Sequence, residues 1–312
     1  MSSVHSLCDH IVQLAHEAGA CAAGFSEAAP LSSAELAVFD HWIASGRHAG
    51  MEYMERYGDL RADPRTLLDG TCSILSVAFA YAPAPHRHPL IADYALGEDY
   101  HTALRTMLQP VASAMEAAVP GSTTRICIDT APIRERVWAV RAGLGFIGLN
   151  NLLIIPGIGS RIFLAEILWT HLPEIPPKPS MPTSCQGCMA CVKACPGHAL
   201  DGNGGLDARR CLSYLTIEHR GELPESLSLC GRRIYGCDIC QDACPHNRGT
   251  NPPVSEAFRP SPELMELTLE AAADISDDDF RRLFRRSAVK RTKAAGLRRN
   301  AAKARENLPK IP

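Results

Sequence analysis

The residues of this chain best equipped for chemistry are cysteines. The segment CQGCMACVKACP places Cys185, Cys188, Cys191 and Cys195 as C-x2-C-x2-C-x3-C-P, and CDICQDACP places Cys237, Cys240 and Cys244. The first is the spacing by which bacterial two-cluster ferredoxins hold [4Fe–4S] clusters: three close thiolates wrap one cluster and the fourth reaches the other. The second motif has one spacing lengthened, and Cys211 stands upstream to supply its missing ligand. By the crossover rule, Cys185, Cys188, Cys191 and Cys244 should hold one cluster, and Cys195, Cys211, Cys237 and Cys240 the other. Zinc also takes C-x2-C pairs, but a third cysteine two residues on and two Cys-Pro endings are not what four-coordinate zinc needs. Of the 13 cysteines, Cys8, Cys21, Cys72 and Cys127 lie in apolar contexts where a free thiol packs as a small hydrophobe. Cys230 sits outside both spacings and reads as a plain cysteine.

Two clusters make a one-electron wire, and a bare ferredoxin would need only a fraction of these 312 residues. The chain before Cys185 should therefore hold an active site or a redox acceptor. Composition, 46% apolar and 21% charged, is that of a soluble globular protein. No apolar run is long enough to span a bilayer, so no membrane association is expected. The first residues carry no basic n-region, and Val4, Leu7, Ile11, Leu14 and Ala18 share one helical face, which reads as a mature first helix. Eight cysteines at cluster spacings fit a reducing cytoplasm better than a disulfide scaffold. The net charge of −2 hides an asymmetry, because residues 281–312 hold twelve Lys or Arg against one acid. An anionic partner could dock there.

The elements that must position this chemistry read as mixed α/β up to Leu172. A helix over Val4–Gly19 precedes a strand-like CAAGF, and Cys72–Tyr81 has the length and apolarity of a buried strand. Tyr100–Val119 reads as a helix, Thr124–Ile128 as a short strand, and Ile133–Ala142 as another helix. Asn151–Ile155 and Arg161–Trp169 flank PGIGS as a hairpin. At least one antiparallel pair is implied, against a purely parallel sheet. Leu172–Pro182 has five prolines in eleven residues and reads as an extended linker. The domain reading is thus 1–172, a linker over 173–182, a two-cluster module over 183–250 and a basic helical segment over 251–312. Asp129 sits just past a strand end, where α/β sheets present functional groups, with Glu135 in the first turn of the helix begun by Pro132. It reads either as a capping residue at a strand-to-helix turn or as an acid held protonated near an apolar cofactor face.

Seven blocks together resemble the epoxyqueuosine reductase family. They are GMEYMERYGDLRADPRTLL (Gly50–Leu68), GEDYHTALR (Gly97–Arg105), IDTAPIRER (Ile128–Arg136), AGLGFIGLNNLLI (Ala142–Ile154), CLSYLTIEHRG (Cys211–Gly221), YGCDICQDACPHN (Tyr235–Asn247) and FRRLFRRSAVKRTKAAGLRRNAA (Phe280–Ala302). The ferredoxin part is shared by many proteins, whereas the DTAPIRER, GLGFIG and CLSYLTIE blocks are specific. The resemblance implies an α/β (α+β) cobalamin-binding domain of the reductive-dehalogenase/nitroreductase-like type, then the two-[4Fe–4S] ferredoxin-like module and the basic α-helical segment. It implies reduction of epoxyqueuosine to queuosine in a tRNA anticodon, with cobalamin as cofactor and an external donor such as a flavodoxin or ferredoxin system. A monomer suffices for this work.

Carried over residue by residue, the resemblance makes Asp129 the proton donor. It places Arg61, Tyr100, His101, Arg141, Asn150, Ser213 and Asp238, with Asp129 itself, as candidate corrin contacts, each with a bland surface or core alternative. With tRNA as substrate, Lys290, Arg291, Lys293, Arg298 and Arg299 become candidate phosphate contacts, against the alternative of a solvated helical face. The D-x-H-x-x-G arrangement of other cobalamin folds is absent, which implies base-off binding with no protein histidine on cobalt. Two departures stand out: Leu149 where a lysine is expected, and Gly197-His198 in place of threonine-glycine after Cys195-Pro196. The competing readings are a corrinoid reductive dehalogenase, which has no use for the basic tail, and a ferredoxin-type electron carrier.

Overall fold

The computed structural model describes all residues except 1–5, 82–87, 179–180, 182–184, 186, 225–231 and 308–312. Cys230 therefore lies outside the described residues. In the N-terminal half the chain forms α1 (Leu7–Glu17), β1 (Ala22–Glu27), α2 (Ser33–Ala44), α3 (Gly58–Ala62), β2 (Ser73–Ala80), α4 (Tyr100–Ala118), β3 (Thr124–Cys127), α5 (Glu135–Arg141), β4 (Phe146–Ile147), β5 (Leu153–Ile154) and β6 (Ile162–Trp169). Four strands make one sheet in the order β1-β2-β6-β3, every pair antiparallel.

Every residue of β2 is buried, because helices cover both faces of the sheet and successive side chains alternate between them. Leu75, Val77, Phe79, Ala165 and Ile167 pack under Ile11 of α1 and Leu104, Leu108 and Val111 of α4. Ile74 and Leu168 meet Trp138 of α5 on the opposite face, where Ala78 lies against Ala139. Local signals start the helices where they begin. Ser6 and Ser32 make reciprocal capping boxes with Asp9 and Glu35, and Asp99 caps α4 by accepting from the His101 N–H.

The hairpin expected around PGIGS does not form. Gly159 does return to Ile155 in a tight turn, but β5 pairs with β4, and β6 crosses to β2 and β3. An eight-residue apolar strand gains more by burial at the sheet centre than by pairing with a two-residue neighbour. Pro132 does not open the following helix either, because α5 begins at Glu135 with Arg134 as an uncapped N-cap.

The second half contains α6 (Ala190–Ala194), α7 (Leu212–Ile217), α8 (Ile239–Asp242), α9 (Pro262–Met265), α10 (Leu269–Ala273), α11 (Asp277–Leu283) and α12 (Lys293–Glu306). These pieces interlock with the first half. Phe280, Phe284, Val289, Leu297 and Ala301 share a core with Leu90, Ile91, Ile234 and Tyr235, and Phe258 enters the core beneath the sheet. Ile91 and Tyr235 form a parallel bridge. The start of the proline-rich stretch lies against the protein, with Ile175 packed on the first core and the Glu174 carbonyl accepting from Cys8 Sγ at 3.3 Å. The basic segment is thus no appendage: one face of it is core.

Candidate active site

The cysteine module folds from short helices and tight turns, and backbone N–H groups reach Cys185 and Cys195. Cys185, Cys188, Cys191 and Cys244 line one cavity together with Leu149, Asn150 and Ile154. Leu149 enters this wall through its N–H, which points at Cys185 Sγ at 3.4 Å. Cys191 and Cys244 have thiols raised by burial and then by neighbouring thiols, Cys185 being common to both. Cys195, Cys211, Cys237 and Cys240 form a second neighbourhood. Burial and then Cys211 push Cys237 up to about 12, while Cys240 is driven up by burial and by Cys237, Cys211, Cys195 and Cys191. Cys191 and Cys240 are therefore where the two groups approach. Four thiolates gathered in one place repel one another unless a positive centre sits among them, which is the donor set an iron–sulfur cluster requires.

The Gly197-His198 pair has a steric account. A Cβ at Gly197 would run into the Arg210 carbonyl oxygen, and His198 takes φ +48°. This tight turn lets the Ala199 N–H reach Cys195 Sγ at 3.3 Å. A Cβ at Gly145 would likewise strike the Ile154 carbonyl, so the GLGFIG block needs glycine to bring its loop onto β5.

The same Leu149–Ile154 segment borders a cleft of about 230 Å³, lined by Tyr81, Tyr94, Tyr100, Phe163, Leu153 and Asp129 among others. Its acid corner is assembled from distant parts of the chain. Asp129 follows β3 with φ +44°, a left-handed conformation that a short polar side chain tolerates better than most. Its N–H donates to Glu135 Oε1 at 2.7 Å, so it does not cap α5. Its Oδ2 meets His101 Nε2 at 2.8 Å, and His101 Nδ1 meets Asp99 Oδ1 at 2.7 Å. The other oxygen of Asp99 pairs with Lys290 Nζ at 2.5 Å. Burial opposes a charged His101, but the hydrogen bonds to Asp129 and Asp99 outweigh it and hold the imidazolium up to about 9. Asp99, hydrogen-bonded to His101 and Lys290, lies below the usual carboxylate range. Glu135 is pushed up to about 7, first by desolvation and then by Asp129. Tyr100, stacked on His101 at 4.1 Å and on Phe163 at 4.6 Å, stays a phenol because burial and Asp129 both oppose its ionisation.

The remaining expected contacts divide. Arg61 donates to the Tyr53 carbonyl at 3.4 Å and lies in the field of Asp129 and Glu135. Asn150 lines the first thiol cavity. Arg61 Nε and Asn150 Nδ2 are buried without a hydrogen-bond partner among the described residues. Arg141 instead pairs with Glu35 at 2.7 Å over the Trp138 ring, outside the cleft lining. Asp238 is buried between modules, accepting from the Asp93 N–H at 2.8 Å and from Arg233 at 3.3 Å. Ser213 sits half-buried in α7, directly after Cys211 and Leu212. Arg298 is spent on Asp277 and the Ile275 carbonyl, and Arg299 on the carbonyls of Leu215, His219 and Gly221. Arg291 is bidentate on Glu218 and lies 5.7 Å from the Tyr53 ring, while Lys293 is exposed. Sequence reasoning left Asp99, Glu135, Tyr81 and Tyr94 out of the site. Asp99 and Glu135 could have been found from the GEDYH and PIRER blocks that carry His101 and Asp129's loop.

An epoxyqueuosine reductase of Cyclobacterium marinum is 37% identical over 96% of this chain and 97% of its own length. The chain belongs to the epoxyqueuosine reductase family. The model of the epoxyqueuosine reductase QueG family matches residues 61–130, which hold Tyr100, His101 and Asp129, and that of the 4Fe-4S double cluster binding domain matches residues 184–247. Among solved structures, an epoxyqueuosine reductase with an epoxyqueuosine-modified tRNA-Tyr stem loop superposes with TM-score 0.86 at 29% identity, covering 96% of this chain and 80% of that one. The Bacillus subtilis epoxyqueuosine reductase, solved with its catalytic aspartate loop swung out of the active site, gives TM-score 0.84 at 28% identity over 96% and 81%. The two [4Fe–4S] clusters expected from cysteine spacing are thus cofactors of this chain, and the dehalogenase and simple-carrier readings fall away.

Proposed function

We propose that this member of the family acts on the anticodon stem-loop of tRNA, opening the oxirane of epoxyqueuosine and leaving queuosine, with cobalamin bound in the cleft beside Asp129. The change consumes two electrons and two protons: both carbon–oxygen bonds of the oxirane break, a carbon–carbon double bond forms, and oxygen leaves as water. The observation that carries this reading is the Asp129 carboxyl at the cleft wall, 2.8 Å from a histidine held as imidazolium.

The cleft suits a corrin. Its wall carries the aromatic and aliphatic side chains that suit the face of a corrin, with Asp129, Glu135, Arg136 and Ser160 as its polar groups, and the buried donors Arg61 Nε and Asn150 Nδ2 stand behind that lining. Arg61, Tyr100, His101, Asn150 and Asp129 would hold it, with Ser213 and Asp238 supporting from the cluster module and Arg141 bracing α5. Bound there, cobalamin supplies low-valent, nucleophilic cobalt chemistry. Cys185, Cys188, Cys191 and Cys244 would hold the cluster whose cavity shares the Leu149–Ile154 wall with the cleft, and Cys195, Cys211, Cys237 and Cys240 the other. An external one-electron donor of flavodoxin or ferredoxin type would feed them.

The imidazolium proton of His101, which Asp99 orients through Nδ1, passes across the hydrogen bond to Asp129 and on to the departing oxygen, and solvent supplies the second proton. Glu135 fixes the Asp129 backbone while that proton moves. Exposed Tyr53, with Arg291 beside its ring, offers a stacking surface for a base turned out of the anticodon loop. Arg291 and Lys293 face phosphates, whereas Arg298 and Arg299 hold α12 in place. Among the described residues no helix is long and apolar enough to cross a membrane. A monomer in the reducing cytoplasm fits this work.

The test is single-turnover reduction, under anaerobic conditions, of tRNA carrying epoxyqueuosine, with product nucleosides read by mass spectrometry. Wild-type protein loaded with clusters and cobalamin should make queuosine, and Asp129→Asn should slow it by roughly 10²–10⁴-fold. No queuosine from the loaded wild type sinks the reading; wild-type rates in the variant sink the role of Asp129.

A further inference from the structure

Lys290 belongs to the basic segment, yet its ammonium does not simply point at solvent. It sits 2.5 Å from Asp99 Oδ2, on a carboxylate that is itself buried. The other Asp99 oxygen holds His101, and His101 holds Asp129. Lys290, Asp99, His101 and Asp129 therefore form one line of alternating charge that runs from the protein surface to the cleft. Its outer end is set by core packing: Ala288 and Val289 are buried beside Tyr235, whose hydroxyl donates to the Ala288 carbonyl at 2.7 Å. The Asp99 N–H donates to the Arg286 carbonyl at 2.8 Å. The turn carrying Lys290 is thus fastened to the residue it neutralises.

We propose that Lys290 is a positioning residue which, through Asp99, sets the proton affinity of the His101–Asp129 pair. The inference deepens the reading of Asp129 as acid and rests on it only for its kinetic consequence. The charges and titratable groups facing this pair are Asp99 and Lys290 at one end, Glu135 at the other, Tyr100 stacked on the ring, and Arg61, Tyr53 and Arg291 in the field of Asp129. Among them Lys290 is the cation fixed on the far side of the histidine's own partner. It disfavours a second positive charge on His101 and leaves the pair able to part with its proton. Without it, Asp99 is neutralised by His101 alone and the imidazolium is retained to higher pH.

The experiment follows the imidazole of His101 by NMR in cluster-loaded protein labelled at histidine, its signal assigned by its absence in His101→Gln. In Lys290→Met the titration midpoint should rise by roughly half to one pH unit, and Lys290→Arg should restore it. The alkaline limb of single-turnover queuosine formation should move upward with the midpoint. An unmoved midpoint in Lys290→Met overturns the proposal, as does a defect confined to KM for tRNA, which would make Lys290 a phosphate contact only. A midpoint that shifts while the limb stays fixed upholds the coupling and removes Asp129 from the chemistry, so the two readings fail separately.

Discussion

The thiol cavity and the acid corner of the neighbouring cleft are built by opposite means. On the cysteine side seven of the eight groups come from two short stretches of chain, Cys185 to Cys195 and Cys237 to Cys244, with Cys211 standing between them. On the acid side Asp129 and His101 stand 28 residues apart and Asp99 and Lys290 farther still. They meet only because β3, the start of α4 and the turn before α12 converge. The cysteine side also gathers groups that repel as thiolates and must be held by metal, whereas the acid side alternates in sign and holds itself. A cluster site should therefore fail all at once when one ligand is lost, and the acid site should fail by degrees.

The largest effect expected from that contrast is on iron. Cys188→Ser or Cys195→Ser should each lose about half of the bound iron and abolish turnover. Pairing tells the sets apart: Cys188→Ser with Cys244→Ser should lose no more iron than either alone, while Cys188→Ser with Cys195→Ser should lose nearly all. Iron analysis with electron paramagnetic resonance of the reduced protein reads this directly, and equal losses in both double variants would break the assignment of ligands.

Next in size is His101→Gln, expected to slow single-turnover reduction by roughly 10–100-fold while leaving iron content unchanged, since Asp129 keeps its place but loses its proton reserve. A loss as complete as that of a cysteine variant would show that the acid side is no more graded than the thiol side.

Smallest is an effect on stability. Glu135 has its carboxyl raised to about 7 by burial and Asp129, so the folded state holds a proton that the unfolded state releases near the ordinary value. Its charge penalty is absent below the unfolded value, grows as pH rises, and is complete above about 7. Glu135→Gln keeps the acceptor for the Asp129 N–H and removes the penalty. It should gain about 1 kcal/mol over wild type at pH 8 and nothing at pH 4, read by urea unfolding at the two pH values.

This contrast also explains what could be read in advance. The clusters were legible because ligand spacing is local and chemically specific. The strands and long helices were legible because periodicity reports burial: Ser73–Ala80 and Tyr100–Ala118 lie within a residue of expectation. The hairpin at PGIGS was misread because two apolar runs joined by a turn do not reveal that a better partner strand lies elsewhere. Charge runs were the least informative. Arg291, Lys293, Arg298 and Arg299 look alike in sequence, yet Arg298 and Arg299 serve backbone carbonyls, a role decided by contacts such as that between Arg299 and Leu215. The Asp129–His101 pairing followed only from joining two blocks that the chain itself keeps apart.

The bridge between Ile91 and Tyr235 has a consequence in time. Arg233 Nη1 reaches the Ile91 carbonyl across 142 residues of sequence, and Ile234 takes its place in a core completed by α12. During synthesis the apolar face at Leu90 and Ile91 stays uncovered until Ile234, Tyr235 and α12 have been made. Contacts of such long range close late. Cys237, Cys240 and Cys244 follow Tyr235 directly, so the contact that ties the two halves together also sets the place of the second cysteine motif.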